Sequence, residues 1–150
     1  MTTPISRRQK IITEFFSVFT KLTKLYGHRT NLGSNVFEWK STPFQETDLP
    51  GISIRDTGEE VVVRGLQHVY TMSLELEARV SASTSTAMAR EVIADIMTVI
   101  GQNCTLDGLI VNITPVSNSL LDFEQANKKF GTISMEFTVQ YITDKFKPYC

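Results

Sequence analysis

The sequence predicts an α+β fold: a mainly antiparallel β-sheet, two amphipathic helices packed on one face, and an extended β-hairpin arm. Two long stretches, within residues 70–80 and 132–141, alternate strictly between apolar and polar side chains, as strands with one buried face do. Two further segments repeat apolar residues at helical spacing. Because strands covered on both faces read as continuous apolar runs, this alternation favours an antiparallel sheet with one polar face.

Length and composition are those of an ordinary globular protein. The chain has 150 residues and a formal net charge of −1, so we expect a single domain, 1–150, with no affinity for bulk nucleic acid. Its two cysteines, Cys104 and Cys150, show neither zinc-binding nor CxxC spacing, and we expect reduced thiols. No signal peptide is visible, and no apolar run approaches the ~20 residues that a membrane span needs.

An amphipathic helix is predicted from Arg7 to Tyr26, with Ser6 as its cap and Gly27 as its stop. Its apolar residues cover an arc of about 180°, which is wider than the ~100° stripe required for contact with one sheet. Two interpretations remain open. The helix is buried deep in its own core, or surplus apolar residues such as Phe15 and Phe19 contact a neighbouring subunit.

A β-hairpin is predicted in the middle of the chain. Short strands are expected at 36–40 and 52–56, separated by an irregular segment that contains two prolines. Asp56-Thr57-Gly58 has the composition of a turn that closes the second strand. Residues 52–80 are interpreted as the hairpin, with a bulge or bend near Gly65.

The strand from His68 to Val80 is long for a chain of this size. It spans roughly 43 Å at ~3.3 Å per residue, whereas a compact domain of this length is about 38 Å across. Residues 57–67 are therefore candidates for an arm that reaches beyond the globule; the alternative is an ordinary surface loop.

The second half of the chain predicts one helix and two strands. Hydroxyl residues precede a helix over Ala87–Ile100, whose apolar arc of about 140° suits one face of the sheet. A strand follows over Leu109–Val116, with Pro115 at an edge or a bend. A polar loop, Ser117–Lys129, then leads to the last long strand, Phe130–Thr143.

No catalytic or ligand-binding motif is present. The sequence contains no nucleophile elbow, phosphate-binding loop, dinucleotide fingerprint or zinc-peptidase motif. His28 has no potential ligand at metal-binding spacing and is interpreted as a surface residue. Glu75 and Glu77, beside Arg79, are interpreted as a charge-balanced strand surface rather than a catalytic pair. We therefore predict no enzymatic activity, no metal and no cofactor.

The order of these features resembles the tail terminator (tail completion) proteins of long-tailed bacteriophages. The likeness covers nearly the whole chain, and its segments are IITEFFSVFTKLTKLYG, VFEWKSTPFQETDLPGISIRD, YTMSLELEARVSASTSTAMAREVIADIMTVIG and FGTISMEFTVQY. The resemblance implies a structural virion protein of the tail, assembled in the host cytoplasm as a hexameric ring. Such a ring ends tube polymerisation and provides the surface for head–tail joining. Its implied partners are further copies of itself, the tail tube protein and a head–tail connector protein.

The physical pattern suggests residues for this role, because a ring requires a head-to-tail interface between copies. The candidates for contact with a neighbouring protomer or with the tube are Phe15, Phe19, Thr57, Glu59, Glu60 and Arg64. The candidates for the lumen are Glu75, Glu77 and Glu136 on the polar face. A weakly acidic lumen would let DNA pass without specific binding.

Two other functions remain open from the sequence. The chain is another head–tail connector or tail-tube component of a bacteriophage, or it is a non-viral α+β domain that binds a ligand on its polar face. No membrane partner is predicted.

Overall fold

A computed structural model describes residues 3–81, 83–121, 123 and 130–149. Its principal elements, in chain order, are α1 (Arg7–Thr20), β1 (Val36–Glu38), β2 (Gly51–Arg64), β3 (Gln67–Ser81), α2 (Thr86–Gln102), β4 (Asn112–Leu121) and β5 (Phe130–Asp144). Short 3-10 helices lie in the connections at Lys24–Tyr26, Leu32–Ser34 and Glu46–Asp48.

The strands form one open mixed sheet in the order β1-β2-β3-β5-β4. The two alternating strands, β3 and β5, pair antiparallel along their full length at its centre. β1 alone runs parallel to its neighbour, since the connection from Glu38 to Gly51 is long enough to carry the chain back before β2 starts. The α+β class and the mainly antiparallel sheet are thus confirmed.

Both helices cover the same face of this sheet. The side chains of Ser6 and Ser85 cap α1 and α2 by accepting hydrogen bonds from the N–H groups of Gln9 and Met88. The helices and the alternate residues of the strands share one core, which includes Ile11, Ile12, Phe15, Phe19, Val92, Ile96, Ile54, Met72, Leu74, Leu76, Ile133 and Phe137. None of the helices in the described part of the chain is long and apolar enough to cross a membrane.

The first helix ends at Thr20, six residues earlier than predicted. Leu25 and Tyr26 continue the apolar pattern of the sequence, but they lie in a separate 3-10 turn and are exposed. The chain turns here because Gly33 packs against the end of α1. Its N–H donates to the carbonyl oxygen of Leu22 at 2.8 Å, and a Cβ at this position would overlap the backbone of Phe19.

The strand β2 is continuous, so the predicted turn at Asp56-Thr57-Gly58 is wrong. The β2–β3 register instead shifts between Asp56 and Gly58, where a bulge accommodates Thr57 while the ladder continues. The bulge or bend predicted near Gly65 is also wrong. Gly65, with φ of 60°, forms with Leu66 a two-residue hairpin turn that needs a positive φ at its first position.

The long hairpin has two unequal limbs. Its β3 limb remains paired with β5 as far as Gln67. Its β2 limb extends beyond β1, which pairs only with Ile52–Ile54. From Glu60 onward this limb is exposed, and Leu66 at the tip is 84% exposed. The arm is therefore the outer edge of a sheet rather than a ribbon free on both sides.

The strand β4 begins and ends later than predicted. It includes residues 117–121, which were expected in a loop, because a bulge between Pro115 and Ser117 lets pairing with β5 continue past the proline. Pro115 does lie on an edge strand, as predicted. The remainder of the predicted loop, apart from Phe123, lies outside the described residues.

Candidate functional site: the open sheet face and the hairpin limb

The face of the sheet opposite the helices carries the polar residues of the central strands. Glu75 and Glu77 of β3 alternate with core residues and are partly buried. Glu136 of β5 lies directly opposite Glu75, and Arg55 of β2 opposes Glu75 from the other side. The fold thus brings the three lumen candidates, Glu75, Glu77 and Glu136, onto one surface.

Among the described residues, ion pairs balance only some of the charges on this open face. Arg55 Nη2 lies 3.6 Å from Glu75 Oε2, and Arg79 donates two hydrogen bonds to Glu77 Oε1, at 3.1 and 2.6 Å. Glu75 and Glu136 are like charges in directly opposed positions, which is an unfavourable arrangement. A shallow groove of about 350 Å3 crosses this region. Within the described residues, no cluster of three or more potential ligands could hold a metal ion.

One end of the open face is covered by aromatic rings and two cations. The guanidinium carbon of Arg79 lies 4.4 Å from the ring centre of Phe130 and 5.5 Å from that of Phe44. Lys40 Nζ lies 4.3 Å from the ring centre of Phe37, whose ring meets that of Phe44 edge-on. The segment that contains the prolines therefore folds over the end of this face, which limits its polar surface to the middle of the sheet.

The contact candidates on α1 are inside the protomer. Phe15 is 2% exposed and Phe19 is fully buried, with ring centres 6.2 Å apart. Leu22 and Leu32, also fully buried, occupy the part of the core beside the end of α1. Phe15 and Phe19 are thus covered by the protomer's own core, whereas Phe16, Leu25 and Tyr26 from the same predicted arc are exposed. Neither the Phe15 ring nor the Phe19 ring is available to a neighbouring copy in the folded protomer.

The contact candidates on the hairpin limb occupy two different environments. Thr57, Glu60 and Arg64 are exposed. Glu59 instead joins a polar cluster beneath α1, where Arg8 Nη1 lies 3.3 Å from its Oε1 and the hydroxyl of Tyr141 donates to its Oε2 at 2.6 Å. Glu59 therefore ties the hairpin limb to α1 and β5.

Asp56 completes this polar cluster. Arg8 Nε donates to Asp56 Oδ2 at 2.6 Å, and the indole N–H of Trp39 donates to Oδ1 at 2.7 Å. The bulge at Thr57 explains why Asp56 and Glu59, three residues apart, both face the helices: in a regular strand they would point to opposite faces. Sequence reasoning could not find this cluster because it assigned the bulge to another position.

The cluster shifts the pKa values of its members. Burial acts to raise the pKa of the Asp56 carboxyl, but the hydrogen bonds from Trp39 and Arg8 outweigh it, and the pKa lies below its usual value. Burial likewise acts to lower the pKa of Arg8. The hydrogen bond to Asp56 and the charge of Glu59 outweigh this effect, and the pKa lies above its usual value. Burial and the hydrogen bond to Glu59 raise the pKa of Tyr141.

We expect Asp56 to make the stability of the protein pH-dependent. Because its folded pKa is lowered, its contribution is complete above the unfolded pKa of about 3.9 and is lost as pH falls through the folded pKa. Asp56→Asn should lower the free energy of unfolding by about 1–3 kcal/mol at pH 7, since it removes a charge-assisted hydrogen bond. The difference from the unsubstituted protein should shrink below pH 4 in urea titrations.

A matched control for this prediction is Asp144→Asn. Asp144 is an exposed carboxylate at the end of β5, and its substitution should change the free energy of unfolding at pH 7 by much less than Asp56→Asn does. If the difference in free energy of unfolding between Asp56→Asn and the unsubstituted protein stayed constant between pH 7 and pH 3, the predicted dependence of stability on Asp56 protonation would be contradicted.

A buried carboxylate on α2, Asp95, was missed by sequence reasoning. It is 5% exposed and accepts hydrogen bonds from the N–H of Arg29 at 3.2 Å, the N–H of Thr30 at 2.8 Å and the hydroxyl of Thr30 at 2.7 Å. It anchors the α1–β1 connection to α2. The signal in the sequence was weak, because Asp95 lies just beyond the edge of the apolar arc, three residues after Val92 and four before Val99.

The remaining candidates for chemistry are isolated side chains. His28 is partly buried, and His68 is buried beneath Phe146, with ring centres 4.8 Å apart. Cys104 is exposed and free, while Cys150 lies outside the described residues.

No protein-family model matches the sequence, and no curated protein is significantly similar to it. Among solved structures, the chain is similar to a chain in the virion of a native gene transfer agent (GTA) particle. The two are 14% identical in sequence, the similarity covers 92% of each chain, and the TM-score is 0.50. At this level of identity, the protein shares the fold of that virion chain.

Proposed function

We propose that the protein is a structural component of a phage-like virion, and that six copies form a ring at the end of the tail tube. In this role it ends tube polymerisation and provides the surface for head–tail joining. The observation that carries the proposal is the shared fold with a chain of the gene transfer agent virion, over 92% of both chains. The resemblance of the sequence to tail terminator proteins supports the position in the tail.

The open face of the sheet suits the lumen of such a ring. Glu75, Glu77 and Glu136 lie together on it, and Arg55 and Arg79 balance two of these carboxylates. Unbalanced acidic charge repels phosphate groups, so this surface would let DNA pass without retaining it.

The hairpin limb suits contact with another virion protein. Thr57, Glu60 and Arg64 are exposed along it, and Leu66 is exposed at its tip. Arg8 holds the base of the limb through Asp56 and Glu59, so the limb has a fixed direction relative to α1. The candidate partners are a neighbouring protomer, the tail tube protein and the head–tail connector protein.

Electron microscopy and native mass spectrometry of the purified full chain test this function. We expect closed rings near six copies, and particles that lack the protein should carry tails of irregular length. Long tubes would instead identify a tail-tube component, which the shared fold equally permits. A chain that remains monomeric at high concentration, together with normal tails in its absence, would contradict the proposal.

A further inference from the structure

The outer edge of β2 beyond the bulge has no strand partner among the described residues. β1 covers only Ile52–Ile54, so residues 59–64 form one border of the sheet. Val61, Val62 and Val63 are 48%, 61% and 56% exposed. Consecutive exposed β-branched residues on an open edge favour pairing with another strand, and most proteins avoid them for that reason.

Backbone groups on this edge point away from β3 at alternate residues. Ile52 shows the direction, since it donates its N–H outward to the carbonyl oxygen of Asn35 at 2.9 Å. Ile52 opposes Ala78 of β3, and the same outward direction is shared by the residues of β2 that oppose every second residue of β3 from there. Beyond the bulge, these residues of β2 are Glu59, Val61 and Val63. The N–H and C=O groups of Val61 and Val63 are therefore directed toward solvent.

The segment Glu60-Val61-Val62-Val63-Arg64 is complementary to itself. When two copies run antiparallel about a two-fold axis at Val62, valine opposes valine, and Glu60 opposes Arg64 of the second copy on both sides of the axis. Val61 opposes Val63 of the second copy, and these two outward-directed pairs form about four backbone hydrogen bonds. Glu60 and Arg64 fall at the non-hydrogen-bonded positions, where opposed side chains are closest.

This register is favoured over its neighbours. Moving the axis to Val61 opposes Arg64 to Gly58, and moving it to Val63 opposes Arg64 to Val62, so either shift removes both ion pairs. The other border of the sheet, β4, is less suited to pairing, because Pro115 lacks an N–H and the adjacent bulge interrupts the edge.

We propose that two copies of the protein associate through residues 59–64 of β2 into a two-fold dimer whose sheet is continuous across the contact. A two-fold contact joins copies in pairs and does not itself close a ring. It is therefore separate from the ring interface, and where rings form it joins one ring to another.

Charge exchange across the contact tests its register. Glu60→Arg and Arg64→Glu each place two like-charged pairs at the contact, and each should raise the dimer dissociation constant about tenfold or more at low salt. The double variant, Glu60→Arg with Arg64→Glu, restores both pairs and should restore association. Sedimentation equilibrium over a range of protein concentrations measures the dimer dissociation constant of these three variants and of the unsubstituted protein. Glu46→Arg, an exposed site with the same change in charge, should behave as the unsubstituted protein does.

The proposal is overturned if the double variant stays as weak as the single variants, or if Glu46→Arg weakens association equally. Rings that form normally and show no pairwise association would also overturn it, while leaving the proposed ring function intact.

A symmetric disulfide gives an independent readout. In a chain with Cys104→Ser and Cys150→Ser, Val62→Cys should form a covalent dimer under mild oxidation, because the two Val62 positions lie directly opposite each other. Val116→Cys on β4 is the control, since Val116 is 54% exposed on the other edge. Equal yields of covalent dimer from the two variants would contradict the contact.

Discussion

Replacing Phe15 with alanine should lower the free energy of unfolding by about 3–5 kcal/mol. Phe15 is 2% exposed and packs against Phe19 between α1 and the sheet. Truncation removes its buried apolar surface and leaves a cavity that the sheet cannot close, because β3 and β5 pair along their full length. Urea denaturation at pH 7, followed by circular dichroism, measures the loss.

The adjacent residue provides the control. Phe16 is 36% exposed, and Phe16→Ala should cost about 1 kcal/mol or less, because much of the ring is already in water. If the two variants were destabilised equally, Phe15 would not be the core residue that its burial indicates. The comparison also separates the two interpretations of the wide apolar arc. An interface role for Phe15 would affect assembly more than the stability of the protomer.

Replacing Asp95 with alanine should lower the free energy of unfolding by about 2–4 kcal/mol, because it leaves several donors without an acceptor in a buried site. These donors are the N–H groups of Arg29 and Thr30 and the hydroxyl of Thr30. Urea denaturation measures the global loss. Amide hydrogen exchange should show faster exchange at Arg29 and Thr30 than in the unsubstituted protein.

Glu91→Ala is the matched control for Asp95, one turn earlier on the same helix. Glu91 Oε2 lies 2.6 Å from Arg29 Nη1, but the Arg29 side chain is 72% exposed. Removing such a surface ion pair should cost about 0–1 kcal/mol. A larger effect at Glu91 than at Asp95 would show that the surface pair, rather than the buried carboxylate, holds the α1–β1 connection.

Local periodicity was sufficient to identify β3, β5, α1 and α2. Each of these elements has one buried face and one more exposed face, so its apolar residues recur with the period of a helix or a strand. The same alternation correctly grouped Glu75, Glu77 and Glu136 on the open face. Cap residues were also local signals, since Ser6 and Ser85 bond to N–H groups three residues away.

The candidate contact residues were predicted less well because their surroundings come from distant parts of the chain. Exposure of Phe15 or Phe19 could not be inferred from an arc of apolar residues, since the arc does not show how many elements cover it. Glu59 was placed on an exposed arm, although its partner Tyr141 lies 82 residues away in sequence.

Helix and strand periodicity, cap chemistry and the polar character of one sheet face can thus be inferred from the amino-acid order alone, because each depends on neighbours within a few residues. The position of the bulge at Thr57, the parallel pairing of β1 and the burial of Asp95 follow from contacts between separate segments. A shift of one residue in β2 exchanges the two faces of the strand, and only pairing with β3 selects the register in which Asp56 and Glu59 both meet Arg8.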